Sequence, residues 1–311
     1  MTGNTAVRPD WLDVPEPVRA AIEHRLGTTV RSARTPQGGF TSGLAARLLL
    51  GDGRRVFVKA IEATEPLAAS YRSEAAAVAG LPAATPSPAL LFAGAFAGWV
   101  ALVFEDVPGR HPRFDRPDEW AAVSATVDQL GRLPISDLSL TPFAECFGPA
   151  LAYWTVFAEH GPPPGLSRWA CSRLDILADY ETRWLAAAEG TALVHTDLRP
   201  DNMIRAADGT VLVVDWASPC RGARWIDLAC LVPSLLVAGV DPGPILAEHP
   251  ATIDVDRAVI VGFLVALAGY WEHNCRLPAP NRSPHLRRHQ ARSAHVLQQW
   301  LRADGLTTPT R

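Results

Sequence analysis

The spacing of apolar residues divides the chain into a strand-rich first third and a helix-rich remainder. In the first third, apolar runs of strand length are separated by glycine-containing turns. These runs cover residues 44–50, 55–61, 90–93 and 99–104, and residues 28–35 form a further strand-like segment. Two segments, 15–26 and 66–82, instead repeat apolar residues every three to four positions, which predicts helices. The pattern predicts strands accompanied by two helices.

Helical spacing dominates the second part of the chain. The predicted helices cover residues 118–130, 167–188, 222–237 and 258–271, and a further helix is expected in the tail at His285 and His289. The apolar run 258–271 is shorter than the roughly eighteen residues that a membrane span requires. A short apolar run at 191–194 predicts a buried strand that leads into a polar loop.

Polar residues of three kinds follow this predicted strand. His195, Asp197 and Asn202 lie in the loop, and Asp215 follows a hairpin predicted within 203–214. Transfer of a phosphoryl group to a hydroxyl requires a carboxylate that orients and deprotonates the acceptor. It also requires an amide oxygen and a second carboxylate that hold magnesium. Asp197, Asn202 and Asp215 have this chemistry, whereas the alternative is a buried core histidine beside a turn aspartate.

At these residues the sequence resembles the aminoglycoside phosphotransferase and choline kinase group of small-molecule kinases. The resemblance extends over about residues 35–239. It implies an α+β, two-lobed protein-kinase-like fold, in which the N-lobe is an antiparallel sheet with a helix and the C-lobe is mostly helical. The implied N-lobe, residues 1–105, binds the nucleotide, and the implied C-lobe, residues 106–311, contains the catalytic loop and the acceptor site.

The same resemblance assigns roles to individual residues. It implies that Asp197 is the catalytic aspartate and that Asn202 and Asp215 are magnesium ligands. His195 and Asp227 are implied to support the catalytic loop, although a carboxylate near a helix N-terminus is favourable in itself. The segment before Asp227 lacks the family's usual Gly-Asp-Pro. A protein kinase is disfavoured, because Trp-Ala follows Asp215 in place of Phe-Gly and no Ala-Pro-Glu segment follows.

Arg199 belongs to an Asp-Leu-Arg-Pro-Asp-Asn run that is similar to the Asp-Leu-Lys-Pro-Glu-Asn loop of protein kinases. A guanidinium at this position can neutralise the transferring phosphoryl group through two parallel hydrogen bonds. We therefore predict that Arg199 is a second catalytic residue beside Asp197. The alternative is that Arg199 only pairs with Asp201 or with another surface carboxylate.

A glycine-rich loop between the first two predicted strands contains Gly38, Gly39 and Ser42. Glycines let backbone N–H groups approach phosphates, but a hairpin loop favours them as well. The next strand places Phe57 and Lys59 on one face, since side chains alternate along a strand. We predict that Phe57 lies against the adenine and that Lys59, the only lysine of the chain, reaches the α- and β-phosphates. The alternative is an edge-strand lysine that extends into solvent.

Two further elements complete the predicted nucleotide site. Glu74 lies near the middle of a predicted helix, and the kinase-like order of strand, lysine, helix and glutamate makes it the candidate ion-pair partner of Lys59. A solvated helix position is the alternative role. Phe104, Glu105 and Val107 stand where the resembling family has the hinge, whose backbone groups hydrogen-bond the purine edge.

Composition limits the partners. The chain has 311 residues, 48% of them hydrophobic, and a formal net charge of -3, which argues against a general binder of nucleic acid or of acidic membranes. Five cysteines without a C-x-x-C pair support neither a zinc site nor a disulfide framework. The first twenty residues contain no long apolar segment, so no signal peptide is predicted. We expect a cytoplasmic monomer or homodimer that acts on a small molecule.

The acceptor is not determined by the sequence. Aromatic residues in 140–168 either line an acceptor pocket or belong to the core. The tail 276–302 is basic, which disfavours a polycationic aminoglycoside. His285 and His289 have a spacing that can chelate a metal, but a solvated face is the favoured interpretation.

The predicted function is an ATP- or GTP-dependent, Mg²⁺-dependent phosphotransferase that moves the γ-phosphate to a hydroxyl of a small molecule. One alternative is an aminoglycoside or macrolide resistance kinase, and another is a choline- or sugar-type metabolic kinase. A nucleotide-binding pseudokinase scaffold is disfavoured, because Lys59, Asp197, Asn202 and Asp215 are all present.

Overall fold

The computed structural model describes residues 6–36, 38–135 and 138–303. Two compact units are present. The first contains the chain up to residue 111 with segments 201–218 and 279–286, and the second contains 112–200, 219–278 and the residues from 287 onward. Two segments from the second half of the chain therefore fold with the first unit. The division of roles between residues 1–105 and 106–311 stays a prediction, and the ends of those ranges, 1–5 and 304–311, lie outside the described residues.

The strands of the described chain are short to medium in length. They are β1 (Val30–Arg34), β2 (Leu44–Leu50), β3 (Arg55–Glu62), β4 (Leu90–Phe96), β5 (Trp99–Glu105), β6 (Gly109–Arg110), β7 (Ala192–Val194), β8 (Met203–Ala206), β9 (Val211–Val213) and β10 (Cys220–Gly222). The α-helices are α1 (Glu16–Leu26), α2 (Ala68–Gly80), α3 (Pro117–Leu130), α4 (Phe143–Phe147), α5 (Tyr153–His160), α6 (Arg168–Cys171), α7 (Leu174–Tyr180), α8 (Trp225–Val237), α9 (Pro242–Glu248), α10 (Arg257–Asn274) and α11 (Leu286–Ala303). None of the described helices is both long and apolar enough to cross a membrane.

The first unit is built on an antiparallel sheet with the strand order β1-β2-β3-β5-β4. Strand β3 alternates between two cores. Val56 and Val58 face the core that contains α1, whereas Ile61 belongs to a second core shared with Tyr71 of α2. Because side chains alternate, Lys59 lies on the same face of β3 as Ile61. The sheet thus directs its single lysine toward α2.

A smaller sheet completes the first unit. Strands β8 and β9 form the predicted hairpin, and β6 pairs with the outer edge of β8. The last residue of β9 is also tied to the main part of the unit, because the N–H of Val213 donates to the carbonyl of Pro86 at 2.7 Å. The hairpin therefore holds the segments before β8 and after β9 at one end.

The second unit is mostly helical, with β7 and β10 paired as a two-stranded ribbon. Its core contains Phe143, Trp154 and Phe157, all of which are buried. The indole Nε1 of Trp154 donates to the carbonyl of Val265 in α10 at 2.7 Å. These three aromatic residues from the segment 140–168 are therefore core residues.

Two helix predictions are wrong in their extent. The predicted helix 167–188 is broken into α6, α7 and a following series of turns. The apolar spacing continues through the breaks, because Ala170, Leu177 and Trp184 are all buried. A periodicity of buried positions does not detect turns between helices that face the same core.

The helix expected at His285 and His289 begins only at Leu286. Pro278, Pro280 and Pro284 precede it, and proline in a helix interior removes a hydrogen bond and clashes with the preceding turn. His285 lies before the first residue of α11, so His285 and His289 are not on successive turns of one helix. The described residues include no group of three or more His, Cys, Asp or Glu that could hold a metal ion.

Candidate active site

The hairpin brings the two predicted magnesium ligands to one end. Met203 pairs with Val213 across β8 and β9, and the N–H of Val214 donates to the carbonyl of Asn202 at 3.0 Å. Asn202 and Asp215 therefore flank the same end of the hairpin. Asp215 has a φ of 70°, a left-handed conformation that is costly for a residue with a side chain and is commonly found at functional sites.

Lys59 lies between two carboxylates within the first unit. Its ammonium donates to Glu74, the partner expected from the order of elements, and to Asp215 Oδ1 at 2.7 Å. Burial alone would lower the pKa of Lys59, but the carboxylates of Asp215 and Glu74 outweigh burial and raise it. The lysine is therefore held as an ammonium and fixed in position. It does not extend into solvent, since its side chain is only 13% exposed.

Tyr71 is a component of this cluster that the site prediction omitted. The ammonium of Lys59 lies 5.4 Å from the centre of the Tyr71 ring, in a cation–π contact. Burial raises the pKa of Tyr71 to about 12, so the hydroxyl stays protonated. Tyr71 precedes Glu74 by three residues and therefore shares its helix face. The three-residue spacing between Tyr71 and Glu74 could therefore have predicted from the sequence that Tyr71 lies beside Lys59.

The glycine-rich loop lies against the same cluster. Gly38 and Gly39 have positive φ angles of 111° and 73°, which glycine adopts without strain. A side chain at Gly43 would collide with the Tyr71 hydroxyl and would lie 2.7 Å from the carbonyl of Ala60. The loop requires glycine at Gly43 because it passes so closely over β3 and α2.

A cavity of about 560 Å³ occupies this part of the first unit. The predicted site residues that line it are Gly38, Gly39, Phe57, Lys59, Glu74, Phe104, Glu105, Val107, Asn202 and Asp215. Ser42 does not line the cavity, whereas its neighbour Thr41 does. The volume of the cavity falls within the usual range for small-molecule sites, and both aromatic and charged side chains line it.

Side chains also organise the predicted hinge. Phe104 pairs with Phe57 across β5 and β3. Next to it, buried Asp106 forms an ion pair with Arg47 at 2.9 Å, and Arg47 Nη1 donates to the carbonyl of Val107 at 3.1 Å. The hinge is thus held by an arginine of β2. No local pattern in the sequence connects Arg47 with Asp106.

The loop that contains the predicted catalytic aspartate lies in the second unit. Buried Asp227 accepts the backbone N–H groups of His195 at 2.8 Å and of Thr196 at 3.0 Å. Thr196 has a φ of 75°, which is unusual for a β-branched residue. Burial raises the pKa of the Asp227 carboxyl, and His195 and the two N–H groups oppose that rise. Asp227 therefore stabilises a strained turn.

The same loop positions Asp197 and Arg199. The N–H of Asp197 donates to His195 Nδ1 at 3.3 Å, so this ring nitrogen acts as an acceptor. Arg199 Nε lies 3.7 Å from Asp197 Oδ1. The side chain of Asp197 is 57% exposed, whereas that of Arg199 is 16% exposed. Asp197 is thus the more accessible partner of the pair.

Substitution of Asp227 tests its proposed structural role. Asp227→Ala leaves the buried N–H of His195 and the partly buried N–H of Thr196 without their acceptor, and we expect it to lower the free energy of unfolding by roughly 2–4 kcal/mol. Asp227→Asn retains one acceptor oxygen, and its free energy of unfolding should fall by about half as much. Urea unfolding of both variants measures the difference. A loss below about 1 kcal/mol for Asp227→Ala would indicate only a favourable charge at a helix terminus.

The donor set at the hairpin fits magnesium. Asn202 offers an amide oxygen and Asp215 a carboxylate, and Mg²⁺ prefers hard oxygen ligands completed by phosphate oxygens and water. Two protein ligands at one end of a hairpin leave coordination positions for such groups. The chemistry of these residues therefore matches the predicted metal.

Sequence comparison identifies the family. Residues 37–252 match the model of the phosphotransferase enzyme family, which is more than half of the chain. The chain belongs to this family. Comparison with curated proteins gives no match.

Solved structures share the fold at low identity. Aminoglycoside phosphotransferase APH(4)-Ia, as a thermostable mutant in a ternary complex with ADP and hygromycin B, is 16% identical with a TM-score of 0.63, and the match covers 94% of this chain and 99% of that chain. LicA in complex with AMP is 12% identical with a TM-score of 0.60, covering 92% and 100%. An aminoglycoside phosphotransferase from Alicyclobacillus acidocaldarius is 16% identical with a TM-score of 0.54, covering 88% and 91%.

These findings confirm the predicted family resemblance, the α+β protein-kinase-like fold and the enzyme class, a small-molecule phosphotransferase. At these identities the solved structures inform the fold alone. The residue roles of this family member stay predictions, since they depend on the site's own chemistry.

Proposed function

We propose that this phosphotransferase uses ATP or GTP with Mg²⁺ and transfers the γ-phosphoryl group to a hydroxyl of a small molecule. The observation that supports this most is the buried Lys59, fixed between Glu74 and Asp215 in a cavity beneath a glycine-rich loop. The APH(4)-Ia and LicA structures contain ADP and AMP, respectively, which supports an adenine nucleotide.

In the proposed nucleotide site, different residues of the cavity contact the base and the phosphates. Phe57 and Phe104 supply apolar surface for the base, and backbone groups of Glu105 and Val107 supply hydrogen bonds to its edge. Gly38, Gly39 and Ser42 remain the predicted phosphate loop. Lys59 supplies a fixed positive charge for the phosphates. Mg²⁺, held by Asn202 and Asp215, would neutralise charge on the β- and γ-phosphates.

The proposed reaction forms one bond and breaks one. The acceptor hydroxyl oxygen bonds to the γ-phosphorus, and the bond from this phosphorus to the β–γ bridging oxygen breaks. The proton of the acceptor hydroxyl passes to the carboxylate of Asp197, and the nucleoside diphosphate leaves with the bridging oxygen. Arg199 would stabilise negative charge on the transferring group.

We propose that aromatic rings of the second unit contribute to the acceptor site and that the acceptor is neutral or aromatic. Burial and then the charge of Asp197 raise the pKa of Tyr270. Tyr153 stacks on His273 with ring centres 3.8 Å apart. Burial and neighbouring arginines lower the pKa of His273, which favours its neutral form. Uncharged rings and arginines provide no negative charge that would attract a polycation. The cytoplasmic location and the monomer or homodimer stay predictions.

A turnover screen tests the proposed function. The purified protein is incubated with ATP or GTP, Mg²⁺ and a panel of hydroxylated metabolites, phenols, sugars, choline, aminoglycosides and macrolides, and diphosphate formation is measured. We expect at least one acceptor to raise turnover well above the rate without acceptor, and Asp197→Asn to abolish that increase. The proposal is wrong if Asp197→Asn matches the wild type with every acceptor that raises diphosphate formation.

Arg199→Ala separates a catalytic from a surface role. If Arg199 acts on the transition state, kcat should fall by roughly ten- to a thousandfold, with little change in the nucleotide KM. Arg199→Lys should retain only part of the wild-type kcat, because an ammonium lacks the planar pair of donors. Near-normal kcat in Arg199→Ala would show that the ion pair with Asp197 has no part in transfer.

A further inference from the structure

The side chain of Arg8 enters the nucleotide cavity from the N-terminal segment. Arg8 lines the cavity, and its Nε donates to the carbonyl of Thr41 in the glycine-rich loop at 2.9 Å. A side chain at Gly39 would collide with the Arg8 guanidinium. The guanidinium therefore lies directly against the loop that we propose binds the phosphates.

Contacts on both sides of Arg8 hold this segment in place. The N–H of Val7 donates to the carbonyl of Arg282 at 2.6 Å. On the other side, Asp10 Oδ1 accepts from the hydroxyl of Thr35 at 2.6 Å, and Trp11 is buried in the core with α1. Arg8 thus projects from a backbone that is anchored before and after it. Its place in the cavity follows from these anchors.

The charges around Arg8 favour a phosphate ligand. Burial lowers the pKa of Arg8, while Tyr71, Asp215 and Asp201 oppose that effect, and arginine remains cationic at neutral pH. Lys59 is already paired with two carboxylates. The cluster of Lys59, Glu74 and Asp215 therefore has a formal charge of about -1, which repels a nucleoside triphosphate. The cavity is also lined by Arg34, Arg47 and Arg110, and the Arg8 guanidinium adds a further positive charge that offsets this repulsion beside the glycine-rich loop.

We propose that Arg8 is a phosphate-binding residue of the nucleotide site. Its guanidinium binds phosphate oxygens of a nucleoside di- or triphosphate from beside the glycine-rich loop, through charge-assisted hydrogen bonds. The N-terminal segment thereby becomes part of the site, although it lies outside the residues 37–252 that match the family. This inference rests on the proposed nucleotide-dependent function.

Affinity for nucleotides with different numbers of phosphates tests the inference. Calorimetric titration compares ATP, ADP and adenosine binding by the wild type, Arg8→Ala, Arg8→Gln and Arg8→Lys. We expect Arg8→Ala and Arg8→Gln to bind ATP and ADP about ten- to a hundredfold more weakly, with adenosine affinity changed less than twofold. Arg8→Lys should recover part of the loss. Arg8→Gln retains a donor for the Thr41 carbonyl, so it separates charge from support of the loop.

Arg19→Ala is the matched control. Arg19 Nε also donates to a backbone carbonyl, that of Val14 at 3.0 Å, but Arg19 does not line the cavity. The Arg19→Ala variant should bind ATP, ADP and adenosine with the affinities of the wild type. Equal losses for ATP and adenosine in Arg8→Gln, or unchanged ATP binding in that variant, would overturn the inference. If Arg8→Ala does not fold, the Gln and Lys variants still decide it. A wild type that binds none of ATP, ADP, GTP and GDP would instead overturn the proposed function, and this inference with it.

Discussion

Asp197→Asn is expected to lower the rate of phosphate transfer by about a hundred- to ten-thousandfold, the usual contribution of a general base. The amide cannot take the acceptor's proton. The loop should remain intact, because its turn is held by Asp227 and not by the Asp197 side chain. Steady-state kinetics with the best acceptor, together with calorimetric titration of ATP, measures both effects. ATP affinity should stay within about twofold of the wild type.

Asp208→Asn provides the matched control for this prediction. Asp208 is an exposed aspartate in the turn between β8 and β9, where its Oδ1 accepts the N–H of Thr210 at 3.0 Å. It lies outside the proposed catalytic loop and should retain wild-type turnover. If Asp197→Asn keeps more than a few per cent of wild-type turnover, Asp197 is not the group that deprotonates or orients the acceptor.

Asp215→Ala is expected to abolish transfer and to remove the effect of Mg²⁺ on ATP binding. In the wild type, Mg²⁺ should raise ATP affinity, because Asp215 would hold the ion and the ion would supply positive charge for the phosphates. In the variant this increase should fall below about twofold. ATP binding without Mg²⁺ should be unchanged or stronger, since a negative charge beside Lys59 is removed. Titrations with and without Mg²⁺ provide the comparison.

The fold of Asp215→Ala should be retained, because Lys59 keeps its ion pair with Glu74. Asn202→Ala offers a graded comparison, since it removes a neutral ligand and should weaken the metal dependence without abolishing it. A Mg²⁺ dependence in Asp215→Ala equal to that of the wild type would show that the carboxylate does not bind the metal.

Local patterns predicted the parts of the site that lie on regular elements. The period of two along β3 placed Phe57 and Lys59 on one face, and the order of elements placed Glu74 opposite Lys59. Short spacing in the sequence also placed Asn202 and Asp215 at one end of a hairpin. These predictions succeeded in placing the residues because strand and helix geometry fixes side-chain directions within a few residues.

Residues brought together from distant parts of the chain were not predicted. Arg8 contacts Thr41 from 33 positions away, and Arg47 reaches Val107 across 60 positions. No periodicity relates such pairs, because their approach depends on how whole strands and loops pack. The segment 279–286 joins the first unit for the same reason.

Identification of the product gives the most direct test of the central claim, that this chain transfers the γ-phosphoryl group of a nucleotide to a small hydroxylated molecule. The best acceptor is incubated with ATP and Mg²⁺, and mass spectrometry and phosphorus NMR follow the products. We predict a phosphorylated acceptor in the same molar amount as ADP, and at most about a hundredth of that amount with Asp197→Asn in the same time. ADP that accumulates with free phosphate, and without a phosphorylated acceptor, would contradict the account.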